Sequence, residues 1–374
     1  MPNNIVIKNY SIVLSLICFL SICSYSYATS PQVTFIIPDQ KGPIFWQRVA
    51  QISQAAADSL NIKLKLINTD PNRFALKETI HQVINSRNHP DYLIFRPFLG
   101  NTEAIFKLLE HAKIPFITLE QAFHGDIRQR LGDPQEKYQY WIGQINYDNK
   151  TGGKLLLNAL ISAYKQQQSN QEIHIVGIGG DFDEVGSARQ YALEQLKNSP
   201  PEQGIFVEQI FPMYWNPLLI TERLPMIKKR YPKANIYWCV GDQLALELLR
   251  LHQKSSSSPI IIGGFDWLPQ ALEKIEQGDI TASVGGHLFM VANALVKIID
   301  LQQGINRFLP SVVHQYEIID SSNVAQFKQF FVEQQWSKIN FSQFLLSKNP
   351  HAPALTVNNM LAQFPRKVAH TAKE

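Results

Sequence analysis

Ile260-Ile-Ile-Gly-Gly-Phe-Asp-Trp-Leu-Pro269 is the stretch that decides how this chain is read. Its opening isoleucines form a short, continuously apolar run, the pattern of a strand buried on both faces of a parallel sheet. The run stops at Gly263-Gly264 and then presents Asp266 and Trp267. That sequence predicts a strand whose C-terminal end hands polar and aromatic groups to a cleft, the place where open α/β sheets bind ligands.

Working outward, the same unit recurs. Strands are predicted at Val33–Ile37, Ile62–Ile67, Tyr92–Phe95 and Pro115–Leu119, with helices over Phe45–Leu60, Ala75–Arg87 and Asn101–Ala112 between them. After an irregular polar stretch from Phe123 to Gln139 the alternation restarts. Helices are expected at Asn149–Tyr164, Ser187–Leu196, Leu218–Arg230 and Gln243–Gln253, and strands at Glu172–Val176, Ile205–Phe211, Ile236–Val240 and Pro259–Gly263. Parallel strands joined by helices of this length require right-handed crossovers, so the pattern predicts two α/β halves. Ser255–Ser258 reads as a surface loop. A strand at Ile280–Val284, a helix at Leu288–Leu301 and a last strand at Val312–Ile319 follow. An amphipathic helix near Val324–Val332, then Trp336, Phe341 and Phe344, should pack on the body as far as Leu345, with a mobile basic end beyond it.

The N-terminus reads as an address rather than as core. Lys8, the apolar run Ser11–Ile22 and Ser26-Tyr27-Ala28 have the layout of a signal peptide cleaved after Ala28. The run is short for a membrane span, so no stable insertion is expected after cleavage. Ile22 before Cys23 and Ile17 before Cys18 are poor lipid-attachment contexts, since such sites want a small residue there. Cleavage leaves Cys239 as the one thiol, so no internal disulfide can form and stability must come from packing. The formal charge of +4 is spread without a clustered basic face, which gives no case for nucleic acid. The expected compartment is the periplasm, and the expected state a monomer.

Five stretches in order carry a resemblance: Pro43-Ile-Phe-Trp46, Gly186-Ser-Ala-Arg189, Gly241-Asp242-Gln-Leu-Ala-Leu246, Ile262-Gly-Gly-Phe-Asp266 and Ile275-Glu-Gln-Gly-Asp-Ile-Thr-Ala-Ser283. With the order of elements, they make Val33 to about Gly304 resemble the type-1 periplasmic binding proteins of the ribose-binding kind. The resemblance implies two Rossmann-like lobes with parallel sheets joined by a three-crossing hinge. On that pattern residues 29–142 form an N-terminal lobe completed by about 286–310, and residues 143–285 form the C-terminal lobe. Residues 311–345 supply the returning strand and a packed extension, and 346–374 a mobile tail. The crossings would fall near Tyr140–Gly143, Asp266–Gly286 and Leu309–His314, with the pairs Gly263-Gly264 and Gly285-Gly286 easing the backbone angles.

The resemblance also implies a ligand set. Phe45 and Trp46, where a strand passes into a helix, can close an aromatic face over a ring or serve as core. Trp215 matches the family's cleft aromatic, and Arg189 matches an arginine that reaches the ligand from a helix's first turn. Asp266 matches a carboxylate that accepts sugar hydroxyls, with a helix N-cap as the alternative. Glu120-Gln121, Gly241-Asp242 and Gly286-His287 stand where ribose binders carry Asp-Arg, Asn-Asp and Gln, so a pentose site is not preserved. Asp39 and Trp267 complete the expected cleft. Autoinducer-2 receptors of the same superfamily resemble the chain over similar ground, through the aromatic pair, Arg189 and Trp267.

Competing chemistries find less support. Gly177-Ile-Gly179-Gly180 lacks the third glycine of a dinucleotide fingerprint, since Phe182 stands at that place. Asp181, Asp183 and Glu184 lack calcium-loop spacing, and the histidines show no paired zinc spacing, so neither metal nor cofactor is expected. Three functions remain in view: a solute-binding protein delivering a sugar-like or polyol-like ligand to an ABC permease; a sensor presenting its closed form to a membrane kinase or cyclase; and a hydrolase using Asp39, Glu120 and Asp266. The first leads, and no catalytic residue is assigned.

Overall fold

In the computed structural model, which describes residues 30–38, 44–168, 171–200, 204–255, 259–305 and 311–364, the apolar runs assemble into two six-stranded sheets. The first contains β1 (Gln32–Pro38), β2 (Lys63–Thr69), β3 (Tyr92–Phe95), β4 (Phe116–Leu119), β5 (Trp141–Tyr147) and β11 (Ser311–His314), in the order β11-β5-β4-β3-β1-β2. The second contains β6 (Ile173–Gly179), β7 (Ile205–Pro212), β8 (Ile236–Cys239), β9 (Ile261–Phe265), β10 (Ala282–Gly285) and β12 (Glu317–Asp320), in the order β12-β10-β9-β8-β6-β7. The two orders are the same winding repeated, as uniform right-handed crossovers require. β12 alone among the described strands runs antiparallel to its neighbour, β10.

Burial follows position in the sheet. Interior β6 is buried along its whole length, whereas β2 and β7, at the edges, are partly open. Helices α1 (Ile44–Ser59), α2 (Arg73–Ile84), α3 (Thr102–Ala112) and the short α4 (Gly125–Leu131) belong to the first half. α5 (Asn149–Gln167), α6 (Glu184–Asn198), α7 (Leu218–Arg230), α8 (Asp242–Ser255) and α9 (Pro269–Glu276) belong to the second, and α10 (Met290–Gln302) returns to the first. Asn72, Asp148 and Asp183 start α2, α5 and α6 by accepting bonds from the first-turn amides with their side chains.

The chain passes between the sheets at Asp148, at Gly286 and at Gln315-Tyr316. The first passage lies beyond the expected Tyr140–Gly143, because Trp141–Tyr147 is a fully buried strand of the first sheet. Its polar Gln144 hides the apolar pattern; in the strand its Nε2 donates to the Gln121 carbonyl, 2.7 Å, while its buried Oε1 has no partner. The single strand expected at Val312–Ile319 is two strands, one in each sheet. Of the glycines thought to ease the hinge, Gly286 has a left-handed φ of 117°, but Gly285 answers to packing. A Cβ there would come within 2.4 Å of the Trp267 ring.

The C-terminal extension packs on the body further than expected. α11 (Val324–Val332) and Trp336, Phe341 and Phe344 are buried as predicted, but Leu355, Val357 and Met360 are buried too, and Phe364 packs edge-on against Phe330. Asp300 of α10 holds the segment by accepting from the Leu346 and Ser347 amides and the Ser347 hydroxyl. Arg48 of α1 ties three parts together. It is buried, donates to the carbonyls of Trp267 (2.6 Å) and Phe331 (3.2 Å), and stacks over Phe331 and Trp336. The signal segment, Asp39, Ser256–Ser258, Leu309-Pro310 and the last ten positions from 365 lie outside the described residues.

Candidate functional site

The C-terminal ends of both sheets converge on a cavity of about 390 Å³. From the first half come Pro38 at the end of β1, Arg96 and Phe98 after β3, Glu120 after β4, and Phe45 and Trp46 on α1. From the second come Asp181 and Asp183 after β6, Tyr214 and Trp215 after β7, Asp266 after β9, and Arg189 on α6. His287, just past the second crossing, completes the floor.

The backbone at these strand ends is held in unusual shapes. Glu120, Tyr214, Trp215, Asp266 and Trp267 all have positive φ, between 51° and 102°. Each such residue costs about 1–3 kcal/mol and persists where surrounding bonds over-determine it. The Met213 and Tyr214 amides, for example, are pinned to the carbonyls of Gly179 and Gly180, and the Asp266 amide to Val284.

Arg189 organises the floor. Its Nε donates to Asn149 Oδ1 (3.2 Å), Nη1 to the Val240 carbonyl (3.0 Å) and Nη2 to Tyr316 Oη (3.1 Å), and Nη2 also lies 3.1 Å from His287 Nε2. Asp266 Oδ1 sits 3.5 Å from Nη1 and 3.0 Å from His287 Nε2. Arg189 lines the cavity, where the resemblance implied a ligand contact, and its bonds inside the protein hold Asp266, His287 and Tyr316 in place. Burial opposes its charge, but Tyr316, Asp266 and Glu120 prevail and its pKa rises. Burial pushes Tyr316 up to about 12 and draws His287 below its usual value. His287 is stacked on Phe45, ring centroids 4.7 Å apart.

Arg96, which sequence reasoning overlooked, bridges the halves. It faces Glu120 Oε2 at 3.2 Å on its own side and bonds Asp183 Oδ2 on the other. His124 and Glu184 make a second bridge, 3.1 Å, at the rim. The signal for Arg96 was available, since it follows the strand Tyr92–Phe95 as Asp266 follows β9.

Three expected ligand positions do not line the cavity. Asp242 is fully buried, accepting from the Leu268 amide (2.9 Å) and lying 2.8 and 2.9 Å from Ser283 Oγ. Trp267 is buried too, its Nε1 donating to the Ser283 carbonyl and its ring packed against Phe327 and Phe331 of the extension. Gln121 is buried at the first sheet's edge, where its carbonyl serves Gln144. In each case the turn after the strand aims the side chain inward. Asp266, in turn, caps no helix: α9 begins after Leu268 without a side-chain cap.

Residues 33–304 match the family model of the periplasmic binding protein domain. The chain belongs to the periplasmic binding protein family. This binding protein is 21% identical over 282 residues to the ribose import binding protein of Salmonella typhimurium, covering 74% of this chain and 86% of that one. In fold it is similar to a periplasmic sugar-binding protein from Pseudomonas fluorescens, with a TM-score of 0.77, 20% identity, and 89% and 99% of the two chains covered. It is also similar to a galactofuranose-binding protein (TM-score 0.67, 14% identity, 81% and 99% covered). A myo-inositol-binding protein of Caulobacter is similar as well (TM-score 0.65, 16% identity, 81% and 97% covered). No helix among the described residues is long and apolar enough to cross a membrane.

Proposed function

We propose that this periplasmic binding protein is exported by cleavage after Ala28, closes its two halves as lobes on a small sugar-like or polyol-like ligand, and delivers it as a monomer to an ABC importer. The observation that carries the reading is the cavity's pairing of flat aromatic faces with fixed carboxylates. Trp46 and Trp215 offer surfaces for the apolar faces of a sugar ring, and Asp266 and Glu120 offer acceptors for its hydroxyls. Asp266 is pre-set by His287 and Arg189, so little ordering is needed when ligand arrives.

Contacts drawn from both lobes exist only when the cleft is shut, so ligand shifts the open-closed equilibrium by its differential affinity. The Arg96–Asp183 and His124–Glu184 bridges belong to the same shut arrangement. A sensing role uses the same closure, and the packed extension gives it an added surface; permease genes beside this one support import, a sensor kinase or cyclase gene supports sensing. The binding reading is tested by thermal shift with a panel of sugars and polyols. A member that binds the folded chain at 100 times its Kd should add about 2.7 kcal/mol of apparent stability. No stabilisation by any of them would contradict it.

A further inference from the structure

The charges around the cavity do not balance, and the imbalance points to one kind of sugar. Glu120, Asp181, Asp183 and Asp266 face two guanidinium groups, Arg96 and Arg189. Both cations are already committed: Arg189 to Asn149, Val240, Tyr316, His287 and Asp266, and Arg96 to Glu120 and Asp183. Asp183 is spent as well, since its Oδ1 accepts from the Gly186 amide that starts α6 while Oδ2 takes Arg96.

Asp181 differs from the others. Among the described residues it makes no ion pair; Oδ1 accepts from the Asp183 amide at 3.0 Å, and the Trp215 side chain lies beside it. Its burial and the neighbouring Asp183 carboxylate hold its pKa above the usual range. His287 does nothing to offset this surplus, because burial favours its neutral form, and its Nδ1 has no hydrogen-bond partner. An anionic ligand would enter a cleft with excess carboxylate and no uncommitted arginine, a cost no neutral ligand bears. A ligand ammonium would meet a carboxylate that makes no ion pair among the described residues, with the Trp215 side chain beside it.

Building on the sugar-binding reading, we infer that the cleft selects by charge: it takes sugars carrying an amine, anchored on Asp181, and turns away those carrying a carboxylate or phosphate. The test is calorimetric titration of the mature chain with matched sets: glucosamine, glucose, glucuronate and glucose 6-phosphate, and the corresponding galactose compounds. The amine of at least one set should bind about tenfold or more tighter than its neutral counterpart, while the anionic members of that set give no heat of binding. In Asp181→Asn the amine should lose at least about fivefold more affinity than the neutral sugar does, which a general loosening of the site would not produce. A neutral or anionic member that binds as tightly as its amine, or equal losses in the variant, overturns the inference and leaves the sugar-binding reading standing. Silence from every member overturns this inference, and the binding reading stands or falls separately on the thermal-shift panel of sugars and polyols.

Discussion

Asp242 shows how much a single side chain can say once its surroundings are known. It lies against Ser283 Oγ through both oxygens, and burial, with Asp266 nearby, holds its pKa well above the carboxylate range. A folded-state pKa above the unfolded one gives stability that is full below the unfolded value near 3.9 and is lost as pH rises towards the folded one. Asp242→Asn keeps an acceptor for the Leu268 amide and puts a donor opposite Ser283, without the titration. Its melting temperature should exceed the parent's by about 2 °C or more at pH 7.5 and match it near pH 4; a lower melting temperature at both pH values would refute the raised pKa. Arg189→Met should cost about 3–5 kcal/mol in urea unfolding, because it leaves the Asp266 carboxylate in a buried site without its cation. A cost below about 1 kcal/mol would mean that the network holds without its cation. The lining residues Phe45, Trp46, Glu120, Arg189, Trp215, Asp266 and His287 were legible because they stand at strand ends or on the helices that follow. Asp242, Gln121 and Trp267 stand at such ends as well. Their inward turn was not legible, since it depends on backbone angles and partners far away in sequence.

At the scale of elements, the alternation of strand and helix was readable almost throughout, because the apolar runs and their turn residues are local signals. β5 was not, since the buried polar residues Gln144 and Asn146 interrupt its run. The split between β11 and β12 also escaped, as one apolar stretch cannot announce that its two ends belong to different sheets. The extension carries a clear stability claim. Phe331 is fully buried against Trp267, Phe289, Phe330 and Trp336, and its carbonyl receives Arg48. Phe331→Ala should therefore cost about 3–5 kcal/mol, read from the urea midpoint at constant slope. A change below about 0.5 kcal/mol would show that the extension rests on the body without supporting it.

For the molecule as a whole, the repeated winding made the architecture legible before any contact was known, while the crossings had to be seen. Three passages of chain link the sheets, the cavity lies between their C-terminal edges, and the extension packs across the same region through Arg48 and Trp267. Closure of two lobes on a sugar is the central claim, and the distance between them tests it most directly. Lys107 on α3 and Gln195 on α6 are exposed, and Cys239 is buried with its thiol pushed up by burial, so paired cysteines at the first two positions can be spin-labelled selectively. The account predicts that a saturating sugar replaces a broad distribution of interlobe distances with a single shorter one. A distribution unchanged by a sugar that demonstrably binds would contradict it.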